Sequence, residues 1–266
     1  MTKGNVTMQF LFFLICFGAS IIGAICGIGG GVIIKPLLDS FGILEVSTIS
    51  FLSGCTVLSM STYSMIKSKR SKDSGIEKAT SLPLAIGAAV GGVLGKWLFS
   101  LLVSGYDQNM VGAIQAACLL VVTLGTLVYT LKKNNIYTHH VEEASKCVII
   151  GMVLGIMSSF LGIGGGPINL VVLYFFFSMG TKQAAENSLY IIFFSQLASL
   201  CFSIITRSVP GFDFWLLVLM VLGGIGGGIY GRELNRKLKE TTVEKLFIGL
   251  MVVIMLINIY NIYKFI

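Results

Sequence analysis

Twice in this chain the residues Gly-Ile-Gly-Gly-Gly interrupt an apolar run, at 27–31 and again at 162–166. Glycine costs a helix interior about 1 kcal/mol per residue, so each quintet is a place where a helix stops. In lipid the backbone must satisfy its own hydrogen bonds. Irregular chain at membrane depth survives only where protein buries it or it lines a water-filled cavity. Whether the flanking sequence belongs in a membrane therefore decides what the quintets mean.

It does belong there. Of 266 residues 55% are hydrophobic and only 12% are charged, where a soluble domain carries about 25% charged residues. Apolar blocks follow one another at 8–26, 32–44, 46–66, 79–103, 109–131, 146–161, 167–180, 184–206, 212–231 and 246–263. These predict an all-α integral membrane protein with about 8–10 membrane segments and no soluble domain. The apolar run after MTKGNVTMQF leads into glycines rather than a small-residue cleavage site, which argues against a cleaved signal peptide.

The formal charge of +7 does not point to nucleic acid, because basic residues crowd the cytoplasmic loops of membrane proteins and no aromatic–basic interleaving accompanies them here. Cys16, Cys26, Cys55, Cys118, Cys147 and Cys201 lack CxxC spacing and read as small buried hydrophobes, with no metal site.

The second half repeats the first. The quintets lie 135 positions apart; Gly87, Gly91, Gly92 and Gly95 match Gly223, Gly227, Gly228 and Gly231 at an offset of 136, with Lys96 over Arg232; and 46–51 lies over 184–189 at 138. Two repeats result, 4–145 and 146–266, each beginning with a glycine-broken hairpin. Lysine and arginine, which accumulate on the cytoplasmic side, decide how the halves relate. If each quintet turns the chain back, residues 67–78, 132–146, Lys182 and 232–245 share one side, with fourteen basic residues against five on the other. A simple crossing at each quintet gives eleven against eight, hardly a bias. Inverted repeats with both termini outside the cytoplasm are expected.

A broken helix exposes unpaired N–H groups where the next segment begins, and these groups attract anions together with the helix dipole. Glycine lets a ligand approach the backbone, and Pro167 suits the first position of a new helix, where a missing N–H costs nothing. Interrupted apolar segments in corresponding positions of two halves point to a transporter's midplane site. The expected substrate contacts are Gly27, Gly29, Gly30, Gly31, Gly162, Gly164, Gly165, Gly166 and Pro167, with Ser50, Ser53, Asn169, Asn187, Ser188 and Gln196 as uncharged donors. Lys35 and Glu186 are the candidates for charge or proton coupling, against readings as an interfacial lysine and a solvated carboxylate beside Lys182. Asp39, Glu45, Asp107 and Asp213 sit at segment ends and read as interfacial. The four-residue glycine ladders of 87–95 and 223–231 read instead as close helix packing. GxxxxGK[ST] is absent, which argues against a nucleotide-gripping loop.

The paired GIGGG segments, Pro36-Leu37-Leu38, the stretch 184–189 and the glycine-spaced span together resemble the TauE/SafE sulfite exporter family, over nearly the whole chain. The resemblance implies a permease of the cytoplasmic membrane that moves sulfite, organosulfonates or related small anions without ATP and without a cofactor. Its partners would be the anion, a coupled proton or cation, and lipid. Thr48-Ile49-Ser50 departs from the family's Gly-Thr-Ser tendency, and Pro36 has no counterpart in the second half. A passive channel and a non-transporting assembly subunit are the alternatives. An enzyme would need a positioned acid, base or metal set, and the two histidines, His139 and His140, lie in the polar stretch between the repeats.

Overall fold

The computed structural model describes residues 3–70 and 78–266. The centre of the polar stretch 66–78 lies outside the described residues. Among the described residues ten α-helices follow one another: α1 Lys3–Cys26, α2 Gly31–Phe41, α3 Val46–Arg70, α4 Lys78–Gly105, α5 Gln108–Lys132, α6 Ala144–Phe160, α7 Pro167–Phe177, α8 Thr181–Ile205, α9 Phe214–Lys237 and α10 Glu240–Phe265. No strand occurs among the described residues. Each apolar block becomes one helix. Among the described residues seven helices are long and apolar enough to cross a membrane; α6 is shorter, and α2 and α7, at 11 residues each, reach only about 16 Å at 1.5 Å per residue. That is about half of a hydrocarbon core of roughly 30 Å.

Local chemistry sets several ends. Asp107 caps α5 by accepting from the Met110 N–H at 2.9 Å, and Asp213 caps α9 by accepting from the Trp215 N–H at 2.8 Å. Each cap contributes about 1 kcal/mol. Gly42 closes α2 in the left-handed region, and α1 and α6 end at the glycine quintets.

Packing is exchanged between the halves. Helix α1 lies on α9 while α4 lies on α6; α3 packs on α9 while α8 packs on α4; α2 meets α10 while α7 meets α5; and the equivalent helices α3 and α8, like α5 and α10, pack on each other. The glycine ladders make the two tightest contacts. A methyl group added at Gly87, Gly91 or Gly95 would stand 2.0–2.4 Å from the carbonyl oxygens of Val148, Met152 and Ile156 in turn. Gly227 and Gly231 meet the Phe17 and Ile21 carbonyls in the same way. Backbones approach this closely only where side chains are missing.

Those contact orders give directions. Positions rise together along α4 and α6, and along α1 and α9. Helices α3 and α9 also run together, since Gly224 meets Thr56, Gly228 meets Met60 and Arg232 donates to the Ser64 carbonyl oxygen at 3.0 Å. Helices α3 and α8 run oppositely: Gly54 lies by Gln196, whereas Ser68 lies by Glu186. Helix α3, the least apolar of the seven, is also the most buried, while α10 turns Val253, Leu256 and Ile259 outward. An outer helix must present hydrocarbon to lipid; an inner one can carry hydroxyls.

Candidate functional site

The two glycine segments meet at the centre of this packing. A methyl group at Gly31 would lie 2.1 Å from the Ile163 carbonyl oxygen, and one at Gly29 would lie 3.8 Å from that of Gly164. The backbones match where the sequence matches: φ is 73° and 75° at Gly27 and Gly29, and 66° and 69° at Gly162 and Gly164. The left-handed region is sterically open to glycine and costs other residues roughly 1–2 kcal/mol. The paths then part. Gly30 is already helical (φ −67°) and α2 starts at Gly31, whereas Gly165 takes φ 128°, Gly166 is extended, and α7 starts one position later at Pro167. Proline accounts for the delay, because its ring keeps the preceding residue out of the helical region.

Neither Gly30 nor Gly166 can offer a side-chain cap, which leaves Gly31 and Val32 at the start of α2 and Ile168 at the start of α7 without one; Pro167 has no N–H, and Ile33 and Asn169 donate back to the Gly30 and Gly166 carbonyl oxygens at 3.0 and 3.1 Å. Around them are buried hydroxyls with no protein partner. Ser50 Oγ would stand 2.6 Å from a methyl group at Gly162, and Ser53 lies one turn further along α3. Ser20 Oγ would stand 2.8 Å from a methyl group at Gly30, the residue that opens α2. Asn169 donates to Ser188 Oγ at 3.4 Å and keeps its own Oδ1 without a partner. A buried polar group left unpaired costs about 1–3 kcal/mol. Three such hydroxyls, with the acceptor oxygen of Asn169 beside them, form a cradle around two uncapped helix starts with little net charge.

The other expected contacts point elsewhere. Asn187 accepts from Ser81 Oγ on α4 and donates to the Gln183 carbonyl oxygen at 2.9 Å. Gln196 donates to Ser158 Oγ at 3.3 Å, while Ser195 and Ser159 lie 3.3 Å apart, so these residues join α8 to α6 just before the second turn. Ser20 was not among the sequence candidates. Its signal, a hydroxyl in α1 seven residues before the quintet, becomes visible only once the turn brings Gly30 back beside it.

The charged candidates carry partners. Lys35 is only 3% exposed and pairs with Asp39 at 2.6 Å, one turn along α2. It is therefore not a lysine reaching out to solvent, and the carboxylate of Asp39, 5% exposed, is buried with it near the end of α2. Packing covers both side chains although the far end of α2 comes to the surface, where Phe41 and Ile43 are exposed and Lys264, near the end of α10, donates to the Ser40 carbonyl oxygen at 2.9 Å. The Lys35 stem reaches the second turn, with Cε 3.2 Å from where a Gly162 methyl group would stand. Glu186 binds Arg232 of α9 at 3.1 Å rather than standing beside Lys182.

On the other side of the turns a cavity of about 40 Å³ runs between Cys26 and Leu170 and the Lys133–Glu244 ion pair, which closes at 2.6 Å. That is room for two or three waters. All six cysteines are free.

The family described as Sulfite exporter TauE/SafE matches the chain over residues 12–257. The chain is similar to the protein named "Probable membrane transporter protein YunE" of Bacillus subtilis, at 25% identity over 92% of this chain and 94% of that one. It is also similar over 42% of its length to "Probable membrane transporter protein MamO" of Magnetospirillum gryphiswaldense, at 25% identity, covering 19% of that protein. No solved structure matches significantly.

Proposed function

Because the chain belongs to the sulfite exporter TauE/SafE family of membrane transporters, over residues 12–257, we propose that it is a secondary permease for a small sulfur oxyanion. Sulfite and organosulfonates are the class. The anion is held at mid-depth between the two glycine segments, on the first amide groups of α2 and α7 and on the hydroxyls of Ser20, Ser50, Ser53 and Ser188. The observation that carries this reading is the meeting of two uncapped helix starts with buried hydroxyls that have no protein partner. Helix starts favour negative charge, and neutral donors hold an oxyanion without trapping it. The Lys35–Asp39 pair beside Gly162 adds polarity without net charge.

Inverted repeats in the cytoplasmic membrane complete the proposal. Helices α1 and α3 share a direction, and α2 lies between them in sequence, which supports a return at the first quintet; α6 and α8 relate to α7 likewise. The equivalent helices α3 and α8 run oppositely, which supports inversion.

The test is a stabilisation screen of the purified protein against sulfite, sulfate, thiosulfate, sulfonates and small carboxylates, followed by flux into proteoliposomes. The proposal expects one sulfur oxyanion to raise the melting temperature and to cross with saturable kinetics. Flux that never saturates would identify a channel, and indifference to every anion would identify an assembly subunit.

A further inference from the structure

Lys96 is 7% exposed, lies well inside α4, and forms no ion pair with any described carboxylate. Its ammonium rests 4.7 Å from the centre of the Phe99 ring, a weak attraction to the ring face. Desolvating a buried charge without a carboxylate beside it costs far more than that contact returns. Within a membrane such a residue normally marks an ion path.

Its repeat counterpart is arranged differently. Arg232 corresponds to Lys96 at the 136-residue offset, and the packing places the two alike. Gly95 rests on Ile156, so Lys96 lies level with the last turn of α6 before the second quintet. Gly231 rests on Ile21, and Asn235 donates to the Ile25 carbonyl oxygen, so Arg232 lies level with the last turn of α1 before the first quintet. Each cation therefore stands beside one glycine turn, and helix directions put them towards opposite ends of the bundle. Arg232 is held by Glu186 and by the Ser64 carbonyl oxygen. The position equivalent to Glu186 is Thr48, whose hydroxyl donates to the Gly211 carbonyl oxygen at 3.2 Å. One half thus supplies a carboxylate to its cation and the other does not.

We propose that Lys96 is an anion-binding position on the path between the Gly105 end of the bundle and the glycine segments, and that Arg232 is its counterpart on the opposite path, masked by Glu186. The ligand is the small oxyanion of the proposed function, on which this inference rests. An anion arriving from the Gly105 end meets an uncompensated cation before it reaches the Ser50 hydroxyl beside Gly162. From the other end it meets a neutralised pair.

The test uses the full-length protein in oriented proteoliposomes with sulfite as probe, comparing wild type with Lys96→Met, Lys96→Gln and Lys96→Arg. Methionine and glutamine keep the bulk and remove the charge, so at least one should insert and fold. The half-saturating sulfite concentration should rise tenfold or more in both neutral variants when sulfite is presented at the Gly105 end. It should stay within twofold at the other end, and Lys96→Arg should stay within threefold at both. A purely structural lysine would affect both ends alike, and that result overturns the proposal, as does an unchanged Lys96→Met. A wild type that neither binds nor carries any oxyanion overturns this inference together with the proposed function, whereas normal wild-type flux with indifferent variants overturns this inference alone.

Discussion

At the scale of single residues the donor cradle makes an unusual demand. A buried hydroxyl bonded within the protein supports the fold, whereas one without a protein partner costs stability and is retained for something else. Ser20→Ala and Ser50→Ala should therefore leave thermal stability unchanged or slightly raised. A lost hydrogen bond to a charged ligand is worth about 1.5–3 kcal/mol, so each should weaken sulfite binding by about tenfold or more. Ser81→Ala is the contrast. It takes a donor from buried Asn187 and should cost about 1–3 kcal/mol of stability. Melting curves with and without sulfite separate the two behaviours. If Ser50→Ala destabilises as Ser81→Ala does, the hydroxyls are structural. The quintets, Ser50, Asn169 and Ser188 could be singled out from the sequence, and the fold brings Gly31 to Ile163, Ser50 to Gly162 and Asn169 to Ser188; the Ser50→Ala measurement decides whether they hold an anion. What escaped was pairing: the Glu186–Arg232 contact joins residues on different helices, and no local spacing announces it. The Lys35–Asp39 contact does have helical i, i+4 spacing. It was obscured because Asp39 ends an apolar block, and a block end looks solvated unless the packing of a neighbouring helix over it is known.

Among elements, the glycine ladders separate packing from site. Their four-residue spacing on otherwise continuous spans was enough to identify them as helix contacts, because only a smooth groove lets a second backbone come so near. The helices they would meet were not legible, since partner choice follows from how the halves interlock. Gly91→Ala should cost about 1–3 kcal/mol, because the new methyl group would stand 2.0 Å from the Met152 carbonyl oxygen and neither backbone can give way cheaply. Gly125 lies in α5 with nothing within 4 Å of an added methyl group. Gly125→Ala should instead gain about 0.5–1 kcal/mol from helix propensity. Thermal unfolding in one detergent compares them directly; equal shifts would mean that the close approach of α4 and α6 carries no energetic weight.

For the whole molecule the decisive quantity is direction. Helices α1, α3 and α9 run one way, α4 and α6 are carried with each other, and α3 opposes its own equivalent α8. A chain threaded through that arrangement with simple crossings at 27–31 and 162–166 would need α1 and α3 to oppose each other, because one short helix lies between them. Returns at both quintets remove the conflict and also gather the basic residues on one face, where the positive-inside rule places the cytoplasm. Charge distribution and contact order are independent, and both support the proposed returns. Single cysteines introduced at Lys132 and Lys239, in a Cys201→Ala background that removes the exposed native thiol, should react with a membrane-impermeant maleimide only after the cytoplasmic face is opened. Cysteines at Asp107 and Arg207 should react in intact cells. If Lys132 and Lys239 are labelled from opposite compartments, the halves cannot be inverted, the two helix starts cannot face each other as equivalents, and the anion site loses its geometric basis.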